Sequence, residues 1–394
     1  MISALLPAGL VGLLSLIDIV GAQQDDLGKV LQSQSNLTTY FNLIKKYPEV
    51  ILKLPSYDGV TVVAPSNAAF ENIPGTQLNG KWNESDPSIA IPILEYHILQ
   101  GTVSTGALET GPSVLHSSLL QNPAWTNVTG GQNVMVNKQP GDVIVFTSSK
   151  GTRTTQVKGD IRFAGGLIQV VDNLLIPPAR LENSTESFGL SSFLGALYTA
   201  KLLPSLSEKR NVTIFAPRNE AFQRVAGHLE DLDENAFRNL LNYHVVEGQV
   251  VPSLGLKNGT SLYTLTGQSL RVIRSGNNLF LNSAQVVQPD ILLANGIMHI
   301  IDNVLNPDKA TAVPNPTAIS QEPVYPESSA SGLPFTSAIP CTVSCPVTST
   351  TITTAAASTR TSTTAIMTTT SPGVAARTVA AAGAALLAGL AALA

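Results

Sequence analysis

At 394 residues the chain exceeds what one ordinary hydrophobic core organises, so two domains plus non-globular segments are the starting expectation. Only 13% of the residues are charged and the net charge is −4. That excludes a disordered polyelectrolyte, and it has the wrong sign for nucleic-acid binding.

Residues 2–20 (ISALLPAGLVGLLSLIDIV) are mostly apolar and run into Gly21-Ala22, then Gln23-Gln24-Asp25-Asp26. A short apolar stretch, small residues and an abrupt polar start predict a secretory signal over residues 1–22, although only the α-amino group charges its front end. The competing assignment, a buried first helix, sits badly with Pro7, Gly9 and Gly12. Six N-x-S/T sequons fit an exported chain: Asn36, Asn83, Asn127, Asn183, Asn211 and Asn258. Asn36 also stands where it can cap the helix that follows.

The chain then repeats itself. TVVAPSNAAF at 61–70 matches TIFAPRNEAF at 213–222; EYHIL at 95–99 matches NYHVV at 242–246; DIRFAGGLIQVVDNLL at 160–175 matches DILLANGIMHIIDNVL at 290–305. Three matched segments in one order mean a duplicated domain. The offsets shrink from 152 to 147 to 130, so the second copy is 22 residues shorter, mostly between the second and third segments. The expected domains are residues 23–177 and 181–306.

Each copy opens with apolar residues at i, i+3, i+4 and i+7, which predicts a helix: Leu37, Tyr40, Phe41, Ile44, and then Leu190, Phe193, Leu194, Leu197. The first matched segment starts as a strand that Ala-Pro ends, after which Ser66 or Asn67, and Asn219, are placed to cap a helix carrying Phe70 or Phe222 inward. Phe237, Leu240, Leu241 and His244 mark a further helix, with Asp233 as its cap. The third segment reads as a β-hairpin, Gly165-Gly166 and Asn295-Gly296 being expected at its turn with positive φ. Helices first and strands after give an α+β domain.

Past Leu305 the sequence turns to Pro, Ser, Thr and Ala, with runs such as TSTTITTAAASTRTSTTA. Such composition predicts an extended, O-glycosylated stalk over 307–373. The two cysteines, Cys341 and Cys345, lie in it and are candidates for a mutual disulfide or for pairing with another chain; no disulfide is expected within the domains. Residues 378–394 (TVAAAGAALLAGLAALA) run apolar to the last residue, the pattern of a GPI-anchor signal, expected over 374–394. Gly373 is the best attachment residue and Ser371, followed by Pro372, the second.

A search for chemistry returns nothing assembled. No G-x-S-x-G, H-E-x-x-H or Gly-rich phosphate loop occurs, and neither cysteine lies in a domain. No catalytic residue, cofactor, metal site or nucleic-acid partner is expected. His97 and His244 follow apolar residues by three and four positions, which reads as a packed core histidine; the neighbouring Tyr96 and Tyr243 point elsewhere and are the better contact candidates. His299 reads as structural, and Asp172 and Asp302, ending matched strands, as bonded to local backbone.

The three boxes resemble the fasciclin family. Its first box, Thr-x-Phe-Ala-Pro-Thr/Ser-Asn-x-Ala-Phe, is departed from at Arg218 and at Val63, and its closing Asn-Gly-x-x-His-x-Ile-Asp box at Gly165 and Gln169 in the first copy. The Tyr-His pair matches at Tyr96-His97 and Tyr243-His244, and the resemblance spans about residues 24–306. It implies a β-sandwich-like wedge with packed helices, a role in cell adhesion with cell-wall, matrix or cell-surface partners, and the Tyr-His pairs as partner-binding candidates. With this stalk and tail it resembles the fungal lipid-anchored members, at the extracellular face of the plasma membrane or in the wall. The expected function is non-enzymatic adhesion or scaffolding; the alternative is a surface module capturing a glycan or lipid in a deep aromatic-lined pocket. A polysaccharide-cleaving enzyme comes third.

Overall fold

The computed structural model describes residues 24–54 and 59–340. The expected signal at 1–22, the cysteines Cys341 and Cys345, the anchor residues Ser371 and Gly373 and the tail at 374–394 lie outside the described residues. Contacts group the described residues into two compact units, the first holding those between 24 and 120, 133–148 and 152–176, the second holding 121–132, 149–151 and 177–340.

The first unit begins with α1 (Leu27–Ser33), α2 (Thr38–Lys46) and α3 (Glu49–Leu52), followed by β1 (Val60–Pro65), α4 (Asn67–Glu71) and α5 (Pro87–Tyr96). The remainder is strand: β2 (Ile98–Gln100), β3 (Ser113–Ser117), β4 (Asn133–Gln139), β5 (Val143–Thr147), β6 (Arg153–Phe163) and β7 (Gly166–Val171). They form one seven-stranded sheet in the order β2-β1-β7-β6-β5-β4-β3, antiparallel except for β1 against β7. The eleven-residue β6 pairs with β5 through Arg153–Thr155 and with β7 through Gln156–Phe163, and its register shifts twice in the second stretch. Bulges of this kind bend a strand, so β6 joins two halves of the sheet. Tyr40 and Ile44 of α2 and Leu94 of α5 bury against Val62 and Ile168.

The second unit repeats this plan with α6 (Leu181–Ser187), α7 (Ser191–Thr199), α8 (Leu203–Glu208), β8 (Val212–Pro217), α9 (Asn219–Arg224), α10 (Ala226–Glu230) and α11 (Glu234–Asn242), then β9 (Val245–Val246), β10 (Ser261–Tyr263), β11 (Ser269–Ser275), β12 (Asn278–Leu281), β13 (Ala284–Leu293) and β14 (Gly296–Ile301). The sheet order β10-β11-β12-β13-β14-β8-β9 has the same single parallel pair, β14 with β8. Both units are α+β. Phe193, Leu197 and Phe222 fill the core beside Ile214 and Met298, and Asp233 caps α11 as expected, accepting from the Asn235 and Ala236 amides at 2.9 Å.

Four details depart from the sequence reading. The hairpin turn falls one residue earlier, at Ala164-Gly165 and Ala294-Asn295, and among those four only Gly165 has positive φ (+105°). Gly166 and Gly296 serve close approach instead: a Cβ there would stand 2.0 Å from the Val60 carbonyl oxygen and 1.9 Å from that of Val212. Ser66 caps α4, accepting from the Ala69 amide at 3.3 Å, but Asn67 and Asn219 reach sideways to the first turns of α2 and α7. Asn67 Oδ1 accepts from the Thr39 amide and Asn219 Oδ1 from the Ser192 amide, both at 3.0 Å. Asp172 and Asp302 bond across the sheet, accepting from the Thr155 and Gln285 amides at 2.7 Å.

The fourth departure is the stalk. Its composition placed the whole of 307–373 off the domain, but residues 307–340 lie along the second unit. Tyr325 is buried, and Val324, Phe335 and Ile339 pack against the core. Four apolar side chains spaced through a Pro- and Ser-rich run are enough to hold it, and composition averages them away.

Candidate functional site

The Tyr-His pair closes the last helix of each copy, and the structure turns it inward. Tyr96, His97, Tyr243 and His244 keep 0%, 1%, 0% and 0% of their surface. The expectation that the tyrosines face outward as contact residues is corrected. Tyr96 donates to the Asn133 carbonyl at 2.8 Å, while the Tyr243 hydroxyl donates to the Ser269 carbonyl at 3.1 Å and accepts from Asn282 Nδ2 at 3.0 Å. Both rings are bolted under the sheet, and neither is available to a partner in this fold.

The histidines act as staples. His97 Nε2 accepts the Leu175 amide at 2.8 Å, so its proton is on Nδ1, which donates to the Ile93 carbonyl at 2.7 Å. His244 repeats this with Leu305 at 2.9 Å and Leu240 at 2.9 Å. Each ring ties the end of a helix to the segment leaving the closing hairpin. Burial pulls each imidazole down to about 4, against a smaller upward pull from its carbonyl partner. Both rings are therefore neutral at physiological pH.

A second matched node lies where the hairpin strands begin and end. His299 of β14 is fully buried: its Nδ1 accepts the Asp290 amide at 3.2 Å and its Nε2 donates to the Val251 carbonyl at 3.0 Å. Burial lowers its pKa, and the Asp290 carboxylate 4.0 Å away opposes that. The Ser253 hydroxyl donates to Asp290, whose other oxygen accepts the Ser253 amide at 2.7 Å. Serine, aspartate and histidine are thus adjacent, but the carboxylate, not the imidazole, holds the hydroxyl. With no base on the nucleophile and the ring sealed from solvent, this is not a catalytic triad.

In the first unit Gln169 stands at the His299 position. Its Oε1 accepts the Asp160 amide at 2.9 Å and its Nε2 donates to the Val103 carbonyl at 3.0 Å, while Asp160 accepts from Thr105 at 3.0 and 3.1 Å. Asp160 and Asp290 both take positive φ, +52° and +65°. Repetition in the closing box located this node in the sequence; its purpose, holding the loop after the Tyr-His strand, was not readable there.

Surface features complete the inventory. Of the sequon residues, Asn36, Asn83 and Asn258 are exposed, and Asn127, Asn183 and Asn211 are half-buried. Asn211 has φ +53°, and its side chain accepts the Thr129 amide and donates to the Thr129 hydroxyl, both at 2.8 Å, within the second unit. A pocket of about 370 Å³ on that unit is lined by Glu182, Glu186, Leu194, Tyr198 and Ile339, among others. It has one aromatic wall and two carboxylates, which is unlike the aromatic-lined cleft a glycan- or lipid-capturing module needs. Among the described residues no group of three His, Cys, Asp or Glu side chains could hold a metal ion, and no helix is long and apolar enough to cross a membrane.

Fold and site together define a tandem α+β chain in which the repeated polar residues build structure, with no catalytic group assembled among the described residues. The chain belongs to the fasciclin domain family, which it matches over residues 35–177 and again over 188–307. It is similar to a fasciclin-like arabinogalactan protein of Arthroderma benhamiae, 28% identical over 312 residues, covering 79% of this chain and 73% of that protein. It is also 28% identical to human periostin over 263 residues, 64% of this chain but 29% of the relative. Among solved structures it is similar to a FAS1 domain pair from the insect cell adhesion molecule fasciclin I, at 19% identity and a TM-score of 0.34, covering 70% of this chain and 98% of that one. No catalytic family is indicated.

Proposed function

We propose that this chain is a non-enzymatic cell-surface glycoprotein that acts in adhesion or as a scaffold associated with a cell wall or extracellular matrix. Residues 1–22 export it, two domains at 23–177 and 181–306 carry the contacts, and a GPI anchor at Gly373, or else Ser371, holds it at the outer face of the plasma membrane. Its partners are wall or matrix glycans and proteins, or other surface proteins.

The observation that carries this reading is the commitment of both Tyr-His pairs, and of Gln169 and His299, to backbone bonds inside their own units. A repeated catalytic or ligand site would leave at least one such group facing a cavity. Recognition therefore falls to the exposed, sequon-bearing surface around Asn36, Asn83 and Asn258, and not to the Tyr-His pairs. Further support comes from the fungal relative's description as a fasciclin-like arabinogalactan protein.

Two measurements test the proposal. Phosphatidylinositol-specific phospholipase C releases the protein from intact cells; retention in the membrane fraction contradicts the anchor. The released protein, incubated with isolated wall or matrix material, is retained without altering it; turnover of a wall polysaccharide contradicts the non-enzymatic assignment.

A further inference from the structure

The segment after the second closing box is built into an apolar groove and is not simply a leash. Phe335 wedges between Phe222 and Phe237, with ring centroids 6.1 and 4.9 Å apart. Two glycines clear its path. A Cβ on Gly195 of α7 would stand 2.2 Å from the Phe335 carbonyl oxygen, and one on Gly227 of α10 would stand 2.2 Å from Ser328 Oγ. The first unit has Asn42 at the position equivalent to Gly195, and a Cβ on its Gly75, equivalent to Gly227, meets nothing within 4 Å. The second unit alone is shaped to hold such a segment.

We propose that residues 320–340 form a strap that tension on the C-terminal side peels away, uncovering the Phe222–Phe237 groove while the second unit stays folded. The proposal rests on the reading that the chain is tethered through its C-terminus, since only then does load arrive from that side. The strap lies in series between the tether and the domain, so its outer end is loaded first. Its bonds to the unit are spaced along its length. After the Phe335 wedge come the Ala330 and Ser328 amides on α9 and its end, and then the Gln321 carbonyl and amide, held by Arg224 and Asp302. They break one after another. The last strand of the unit, β14, is instead paired on both edges, by β13 and by β8 over six residues, and cannot leave without rupturing two ladders at once. Phe335 also sits at φ +65°, a left-handed conformation costly for a bulky side chain, so release removes strain.

Optical tweezers on the full chain, held at its two ends, test this. A strap spanning residues 320–340 adds about 7 nm of contour at the roughly 3.5 Å per residue of an extended chain. The expected result is a reversible step of that length below the force that unfolds either unit. Gly195→Ala, a favourable exchange for the helix itself but a clash with the strap, abolishes the step, lengthens the chain by the same amount at the outset and leaves both unfolding steps in place. Loss of strap and second unit in one event overturns the proposal, as does an unchanged step in Gly195→Ala. The anchor reading fails separately, in the phospholipase test, because the tweezers supply their own attachment.

Discussion

The two units make the same connection with different side chains. In the first, the Gln169 amide takes the Asp160 N–H and gives a proton to the Val103 carbonyl; in the second, the His299 imidazole does both for Asp290 and Val251. What the fold requires at this point is one buried acceptor and one buried donor, facing opposite ways, and either side chain supplies them. The exchange is not neutral in one respect: the histidine titrates and the glutamine does not. The cores differ likewise where Tyr40 of the first unit stands at the position Phe193 takes in the second. Both rings are fully buried, but the Tyr40 hydroxyl has no hydrogen-bond partner.

The largest effect should fall on what the units share. Gly296→Ala and Gly166→Ala each drive a Cβ into the backbone of the parallel neighbour, and each should cost about 3 kcal/mol or more in denaturant unfolding. A loss under about 1 kcal/mol in either would mean that the strand pair yields easily and that close approach is not what fixes these glycines.

Acid acts on the buried histidines of both units. A histidine whose pKa is lowered on folding stabilises the protein above its unfolded value of 6.5, and that contribution is lost as pH falls toward about 4. His97 and His244 should each withdraw about 3 kcal/mol from their own unit over that window. A second histidine in each unit, His116 in the first and His299 in the second, is lowered by burial in the same way and adds to the loss. Unfolding of the His299→Gln variant followed between pH 7 and pH 4 checks this; a loss equal to that of the parent protein would remove His299 from the account.

Smaller still is His299→Gln, which installs the first unit's solution. It should cost under about 1 kcal/mol at pH 7 and reduce the second unit's loss in acid, whereas His299→Ala leaves partners unpaired and should cost about 1–3 kcal/mol. The smallest change expected is a gain. Tyr40→Phe, copying Phe193, removes an unpaired buried hydroxyl and should raise stability by about 1 kcal/mol. A loss on that exchange would reveal a partner for the hydroxyl.

Much of this was legible in the sequence because duplication doubles every signal. TVVAPSNAAF against TIFAPRNEAF located the β1 and β8 strands and the helices behind them, and the spacing of Phe237, Leu240 and Leu241 located α11. The errors share a physical cause: they concern partners distant in sequence. Asn67 and Asn219 looked like caps for their own helices, but the first turns they serve lie 28 and 27 residues upstream. Gly166 and Gly296 looked like turn residues because the strands they approach, β1 and β8, are far off in the chain. Tyr96 and Tyr243 looked exposed on helical geometry alone, yet the Asn133 and Ser269 carbonyls that receive their hydroxyls belong to the far half of each sheet. The Pro- and Ser-rich run looked solvated because only a minority of its side chains are buried.

The central claim is that the repeated Tyr-His pair holds each unit together and does not itself touch a partner. His244→Ala in the full chain tests it most directly, with unfolding and retention on wall or matrix material measured on the same preparation. Removing the ring strands the Leu305 amide and the Leu240 carbonyl and leaves a cavity, so stability should fall by about 1–3 kcal/mol, with retention per folded molecule unchanged. An unaltered unfolding curve together with lost retention would contradict the account.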